Sequence, residues 1–397
     1  MILHGCTLPC ATGSAEARLT PPAHGTLLAG KNREKTEERM RAYAVVENGK
    51  PLQMLELPTP EPEGTEVLLE VTHCGVCHSD IHIWEGSYDL GGGRTLSLKD
   101  RGVTLPLAMG HEIVGRVVKL GPKAAGKGVV VGGQYVVFPW VGCGTCPACL
   151  AEEDNYCPKM RALGVHRHGG YATHVIAPEP RHLIPLDGVD PALAGTYACS
   201  GITVFSAINK VMPLPPDEPI VLFGAGGLGL AAIAVLRAMG HRRIVSVDVA
   251  EAKRQAALAE GATEAVDGSG EPDAVGQRIL AVTGGPVAAA IDLVGAGPTA
   301  RAGTAILRKG GAYVIVGLYG GDITLPLPLT VMRAMVVRGS HVGNPKELRA
   351  LMEIARSGKL KPIPVATEPL ANADSVLQRL RAGQIVGRVV LENQGAF

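Results

Sequence analysis

Hydrophobic positions along this chain follow two different rhythms. From about Arg41 to Leu186 they come in short bursts cut by glycine and polar residues. EVLLEVTHCG reads as a strand running into a loop, HEIVGRVVKLG as a strand ending in glycine, and GGQYVVFPW as a third. These segments predict a compact, barrel-like domain of irregular strands. Near Cys199 the rhythm changes. The apolar run Ile220 to Phe223 is followed at once by GAGGLG and then by the apolar helix pattern LGLAAIAVLRAMG. IVSVD gives another strand, EAKRQAALAEG another helix, and AAIDLVG, AYVIVGL and MVVRGS three further strand segments. Strands alternating with helices imply a parallel sheet covered on both faces, hence an α/β doubly wound unit.

Beyond it, KELRALMEIARSGKL reads as a helix and QIVGRVVLE contains a final strand. This end is expected to return to the first domain, leaving the α/β unit as an insertion with a cleft at the junction. The expected organisation is a catalytic domain over 40–200, a nucleotide-binding domain over 201–340 and a return segment over 341–397. Residues 1–39 show no period that would bury a face, so they are expected to be a disordered appendage, with the regular pattern starting at Met40.

Composition narrows the function. Aromatic residues make up 4% against 46% hydrophobic residues, so the core is built from aliphatic side chains. A formal net charge of +1 provides no global field for nucleic acid or an anionic membrane. No apolar run reaches the roughly 18 residues of a membrane span, and the N-terminus has no secretory pattern, so no membrane partner and a cytoplasmic location are expected.

Glycine and cysteine spacing carries the chemistry. Gly224, Gly226, Gly227 and Gly229 form G-x-G-G-x-G between a strand and a helix. Such glycines permit a tight turn, close approach to a pyrophosphate and close helix packing, and the helix N-terminus favours phosphate. Asp248 closes the next strand, where a carboxylate accepts hydrogen bonds from ribose hydroxyls and repels a 2′-phosphate. No basic residue immediately follows, which favours NAD over NADP; a turn-capping aspartate is the simpler alternative.

Four of nine cysteines, Cys143, Cys146, Cys149 and Cys157, follow C-x2-C-x2-C-x7-C. Four thiolates so close fit a closed tetrahedral zinc site, with an iron–sulfur cluster as the rival. A second metal site is assembled from Cys77 in CHSD, His111 in GHE and Cys199 in YACSGIT. One nitrogen and two sulfurs leave a fourth position open. Ordinary burial of each residue is the alternative. Cys74 pairs with Cys77 as C-x2-C and is read as a neighbouring thiol.

Taken together, GVCHSD, GHE, the four-cysteine lobe, CSGIT, GAGGLG and the terminal GQIVGR resemble the zinc-containing medium-chain alcohol dehydrogenases over residues 40–397. The long segment before GHE is similar to the tetrameric archaeal and bacterial branch. The resemblance implies a GroES-like β-rich catalytic domain beside a Rossmann domain, two zinc ions per subunit, NAD as cofactor, an alcohol or carbonyl substrate and a homotetramer. It implies Cys77, His111 and Cys199 as catalytic-zinc ligands and the four clustered cysteines as structural-zinc ligands. Glu112 would sit behind the metal and Asp80 would orient His111. Ser79 and His82 would relay the alcohol proton. His78 and Arg388 would lie near the pyrophosphate, and Trp84, Tyr88 and Trp140 would shape the substrate cleft. Polyol, cyclic-alcohol and aromatic-alcohol dehydrogenases share these motifs, and a non-catalytic nucleotide-binding protein is the remote alternative.

Overall fold

A computed structural model describes residues 38–393. The expected appendage therefore lies, over residues 1–37, outside the described residues.

The nucleotide-binding region is a six-stranded, all-parallel sheet. Its spatial order is Glu264–Asp267, Ile244–Asp248, Ile220–Phe223, Val287–Asp292, Leu307–Ile315, Val336–Gly339. In chain order this is 3-2-1-4-5-6, the Rossmann arrangement. Its central strands are wholly buried, which is why IVLF and VAAAID read as continuous apolar runs without alternation. The helix Gly227–Ala238 is apolar on nearly every face because it is buried from Gly229 to Leu236. Two helices that the hydrophobic pattern does not single out, Pro272–Thr283 and Gly297–Ala305, cover the sheet as well.

The other principal sheet has seven strands. Val67–Gly75 lies at its centre, paired antiparallel with Glu112–Leu120, His174–Ala177 and Arg388–Glu392. The terminal strand thus returns across the whole α/β insertion to pair Val390 with Gly75. The helix Pro345–Arg356 opens with a reciprocal cap between Asn344 and Glu347. It buries Leu348, Leu351 and Met352, one face at helical spacing.

Between the two sheets runs a continuous helical stretch, Pro191–Thr196, Tyr197–Gly201 and Ile202–Asn209. Its middle segment is π-helical. This stretch is long and apolar enough to cross a membrane, but 89% of it is buried inside the fold, so its apolarity belongs to the core.

Candidate active site and metal centres

Three chain segments converge at one buried point. Cys77 precedes the short helix His78–Glu85 in extended conformation. Its N–H donates to Asp80 Oδ2 at 2.9 Å, which fixes the turn. His111 follows Gly110, whose φ of +85° suits glycine, and a β-carbon there would lie 2.4 Å from the Tyr171 ring. Cys199 sits in the π-helical turn, a widening of the kind often found at functional sites.

The ligand atoms of Cys77, His111 and Cys199 lie within 4.8 Å of one another, and all three residues are buried. Their two sulfurs are 3.9 Å apart. Two thiolates on a tetrahedral zinc with bonds of about 2.3 Å sit about 3.8 Å apart. Both ring nitrogens of His111 are buried with no hydrogen-bond partner among the described residues, so Nε2 is free to take a metal. His111 Nδ1 faces Asp80 Oδ1 at 3.2 Å. The Asp80 carboxylate also accepts from the Tyr171 hydroxyl at 3.0 Å. A hydrogen bond from the Cys199 thiol holds Cys77 well below the ordinary thiol pKa, against the opposing effect of burial. These residues fit zinc.

Glu112 is fully buried beside this cluster. Its Oε1 accepts from Ser200 N–H at 3.3 Å, and its Oε2 is ion-paired with the Arg388 guanidinium. Burial pushes the Glu112 pKa up to about 7 although Arg388 opposes the rise. Arg388 also packs against the glycine loop, where a β-carbon on Gly227 would come 2.6 Å from its Cδ.

The second metal centre is the lobe bearing Cys143, Cys146, Cys149 and Cys157, whose sulfurs also lie within 4.8 Å of one another. The N–H groups of Cys143 and Lys159 donate to Cys157 Sγ at 3.3 and 3.4 Å, which holds the sulfur in place. Buried Asp154 anchors the lobe: it accepts two bonds from Arg181, at 2.8 and 3.0 Å, and one from Gly142 N–H at 3.2 Å. Four sulfurs close the coordination shell, so this site is structural. The seven described cysteines, Cys74 and Cys77 included, are all free thiols.

The glycine loop fits a dinucleotide. Gly224 has φ +98°, and a β-carbon on Gly229 would lie 2.2 Å from the Gly224 carbonyl. A β-carbon on Gly226 would meet nothing within 4 Å among the described residues, so open space faces the loop there. Beside it a cavity of about 140 Å³ is lined by Gly224, Val247, Asp248, Pro272, Val294 and Thr299. Asp248 does serve as a turn aspartate, with Oδ2 accepting from Ala225 N–H at 2.8 Å and Oδ1 from Ala250 N–H at 2.9 Å. Its carboxylate nonetheless lines the cavity.

The remaining sequence expectations divide. Ser79 and His82 share the helix His78–Glu85 three positions apart, on one face. His78, one position before Ser79, is exposed. Tyr88 places its ring 4.7 Å from His82, on the hairpin Ser87–Asp89 with Thr95–Ser97. Trp140 lies 5.3 Å from His111 and donates its indole N–H to the Ala198 carbonyl at 3.1 Å. Trp84 does not reach the cleft, which corrects its expected role. Its N–H bonds the Lys50 carbonyl at 2.6 Å, Arg381 lies over its ring, and it packs in a core separate from that of Cys77 and Cys199. Tyr171 is the site residue that sequence reading missed, since a single tyrosine in GGYATH has no distinguishing pattern.

Comparison with known proteins agrees with this architecture. Residues 63–188 match the alcohol dehydrogenase GroES-like domain and residues 227–357 match the zinc-binding dehydrogenase domain. An NAD-dependent alcohol dehydrogenase of Sulfurisphaera tokodaii is 36% identical over 89% of this chain and 99% of its own length. Among solved structures, the alcohol dehydrogenase of Aeropyrum pernix superposes with a TM-score of 0.79 at 30% identity, covering 89% of this chain and 100% of its own. Acetophenone reductase from Geotrichum candidum gives 0.77 at 26% identity, covering 91% and 100%. The chain belongs to the zinc-binding medium-chain dehydrogenase/reductase family. It is an oxidoreductase with one catalytic and one structural zinc centre and a nucleotide-binding fold.

Proposed function

We propose that this protein is a zinc alcohol dehydrogenase that interconverts primary or secondary alcohols with aldehydes or ketones, using NAD. The observation that carries the reading is the buried trio Cys77, His111 and Cys199, with His111 Nε2 unpaired among the described residues and Asp80 behind it. When bound, zinc supplies Lewis acidity toward the substrate oxygen and NAD supplies the hydride acceptor. Asp80 Oδ1, 3.2 Å from Nδ1, favours the His111 tautomer with its proton on Nδ1 and leaves Nε2 to ligate. Burial, and then the nearby His78, lower the His82 pKa, so His82 is neutral near pH 7 and competent to take a proton that Ser79 passes on. Glu112 and Arg388 join the metal centre to the glycine loop, placing Arg388 where it can meet a pyrophosphate.

Asp248 on the cavity wall supports NAD over NADP. The domain limits proposed are 40–200, 201–340 and 341–397. A homotetramer is supported by the sheet edge at Val336–Gly339, beside which Leu327, Val331 and Met332 are 76%, 77% and 61% exposed. Free thiols at both metal centres support a reducing compartment such as the cytoplasm.

The test is metal analysis together with an NAD-coupled screen of primary, secondary, cyclic, aromatic and polyhydroxy alcohols. The expected result is two zincs per chain and turnover on at least one class, with Cys199→Ser losing one zinc and most activity. Full activity in Cys199→Ser refutes the ligand assignment.

A further inference from the structure

His341 lies on the loop between the strand Val336–Gly339 and the helix Pro345–Arg356, so it belongs to the nucleotide-binding side of the cleft. Its neighbours come from the other side. Its ring stands edge-on to Trp140 with centroids 6.1 Å apart, and Trp140 stands 5.3 Å from the zinc ligand His111. A reciprocal clasp fixes it: Asn155 Nδ2 donates to the His341 carbonyl at 3.1 Å, and His341 Nδ1 lies 3.4 Å from the Asn155 carbonyl. A carbonyl only accepts, so Nδ1 carries the proton, and in a neutral ring Nε2 must then be an acceptor. Crowding by its neighbours, and then the Lys210 charge, lower the His341 pKa although the Asn155 carbonyl opposes them. The ring is therefore neutral near pH 7. It remains open to solvent, and Nε2 makes no hydrogen bond to the described residues. One indole away from the zinc ligands there is thus a fixed, unspent hydrogen-bond acceptor.

We propose that His341 is a specificity-determining residue whose Nε2 accepts a hydrogen bond from a second hydroxyl of the substrate, so that the preferred substrates are diols or hydroxy-ketones rather than plain alkanols. This rests on the alcohol dehydrogenase reading above. Trp140 supplies the apolar wall along which the carbon chain between the two oxygens lies, and the Asn155 clasp keeps the imidazole from turning its N–H toward the substrate. A single hydrogen bond at a site open to water favours the matching substrate by about tenfold.

The experiment compares 1-butanol with 1,2-, 1,3- and 1,4-butanediol in the zinc-loaded enzyme, for the wild type, His341→Leu, His341→Phe and His341→Gln. One diol is expected to exceed 1-butanol about tenfold in kcat/KM. The Leu and Phe variants should lose that advantage while keeping turnover of 1-butanol. The Gln variant, whose amide oxygen also accepts, should recover part of it. Calorimetric binding of the same diol to the NADH-bound enzyme, where no turnover follows, should weaken in the Leu variant and not in the Gln variant. Equal kcat/KM for 1-butanol and all three diols, or a diol preference that survives in both Leu and Phe variants, overturns the inference and leaves the alcohol dehydrogenase reading standing. Absence of turnover on any alcohol overturns that reading instead, and calorimetry then decides the fate of the His341 contact.

Discussion

Replacing Tyr171 with phenylalanine removes one oxygen from the interior and leaves the ring in place. That oxygen donates to Asp80 at 3.0 Å, and both residues are fully buried. Asp80 keeps two partners, the Cys77 N–H at 2.9 Å and His111 Nδ1 at 3.2 Å, so the carboxylate is weakened rather than orphaned. A hydrogen bond to a charged group contributes about 1.5–3 kcal/mol. Because no cavity larger than one hydroxyl opens, the loss of folding stability should lie near the lower end, about 1.5 kcal/mol. Asp80 also orients the zinc-ligating ring, and loss of such outer support weakens metal affinity about 10–100-fold. The assay is chelator competition on the doubly loaded protein, followed with denaturant unfolding. The four-cysteine site, which Tyr171 does not touch, acts as the internal reference. Tyr171→Phe should release the catalytic zinc at lower chelator concentration while the structural zinc stays put. Unchanged affinity at both sites together with unchanged stability would refute the claim that Tyr171 supports the metal through Asp80.

Asp154→Ala leaves Arg181 without its main partner and should destabilise the lobe by about 2–3 kcal/mol, less than a fully buried pair because Arg181 is 28% exposed, with zinc lost first from the four cysteines; denaturation and metal counting check it. Burial raises the folded Asp154 pKa, but His182, 3.5 Å away, and the Arg181 hydrogen bonds outweigh it and hold it below the unfolded value of about 3.9, so its contribution is full above that value and is lost as pH falls through the folded pKa; an acid titration of wild type against the variant reads the difference. Asp248→Ala should narrow the NAD over NADP preference at least about tenfold, read as the ratio of the two kcat/KM values, while equal ratios before and after deny its role. Because the His82 pKa is lowered, the neutral base persists below pH 6.5, so the acid limb of alcohol oxidation should fall below 6.5 and disappear in His82→Ala.

The metal ligands and the glycine loop were legible because their chemistry is local and restrictive. Few residue types bind zinc, and only a strand, glycines and a helix in that order build a phosphate turn. The contacts that serve them were not. Tyr171 reaches Asp80 from 91 positions away, and Arg388 reaches Glu112 from 276. GQIVGR marks Arg388 as special, but pairing it with a carboxylate requires the terminal strand to lie beside Val67–Gly75. Trp84 shows the opposite failure. It lies in the same helix as Ser79 and His82, but helical geometry sends its ring to the other side, under Arg381. Proximity in sequence to a motif does not confer a place in the cleft. The hydrophobic rhythm located the buried strands well, yet missed Pro272–Thr283, whose apolar positions are too sparse to stand out against its polar face.

The return of the terminal strand has a consequence for synthesis on the ribosome. Asn393 bonds the Val71 carbonyl across 322 positions, whereas the parallel sheet is contiguous between residues 220 and 339. The nucleotide unit can therefore close while the chain is still being made. The sheet behind the zinc ligands must wait, with His73–Gly75 of its central strand lacking their partners, until residues 388–392 have been made. A stop before residue 388 leaves Glu112 without Arg388 and the His73–Gly75 stretch of the central strand as an open edge, a template for pairing with another chain. A truncated product thus loses its structural integrity together with the link between its metal and nucleotide sites.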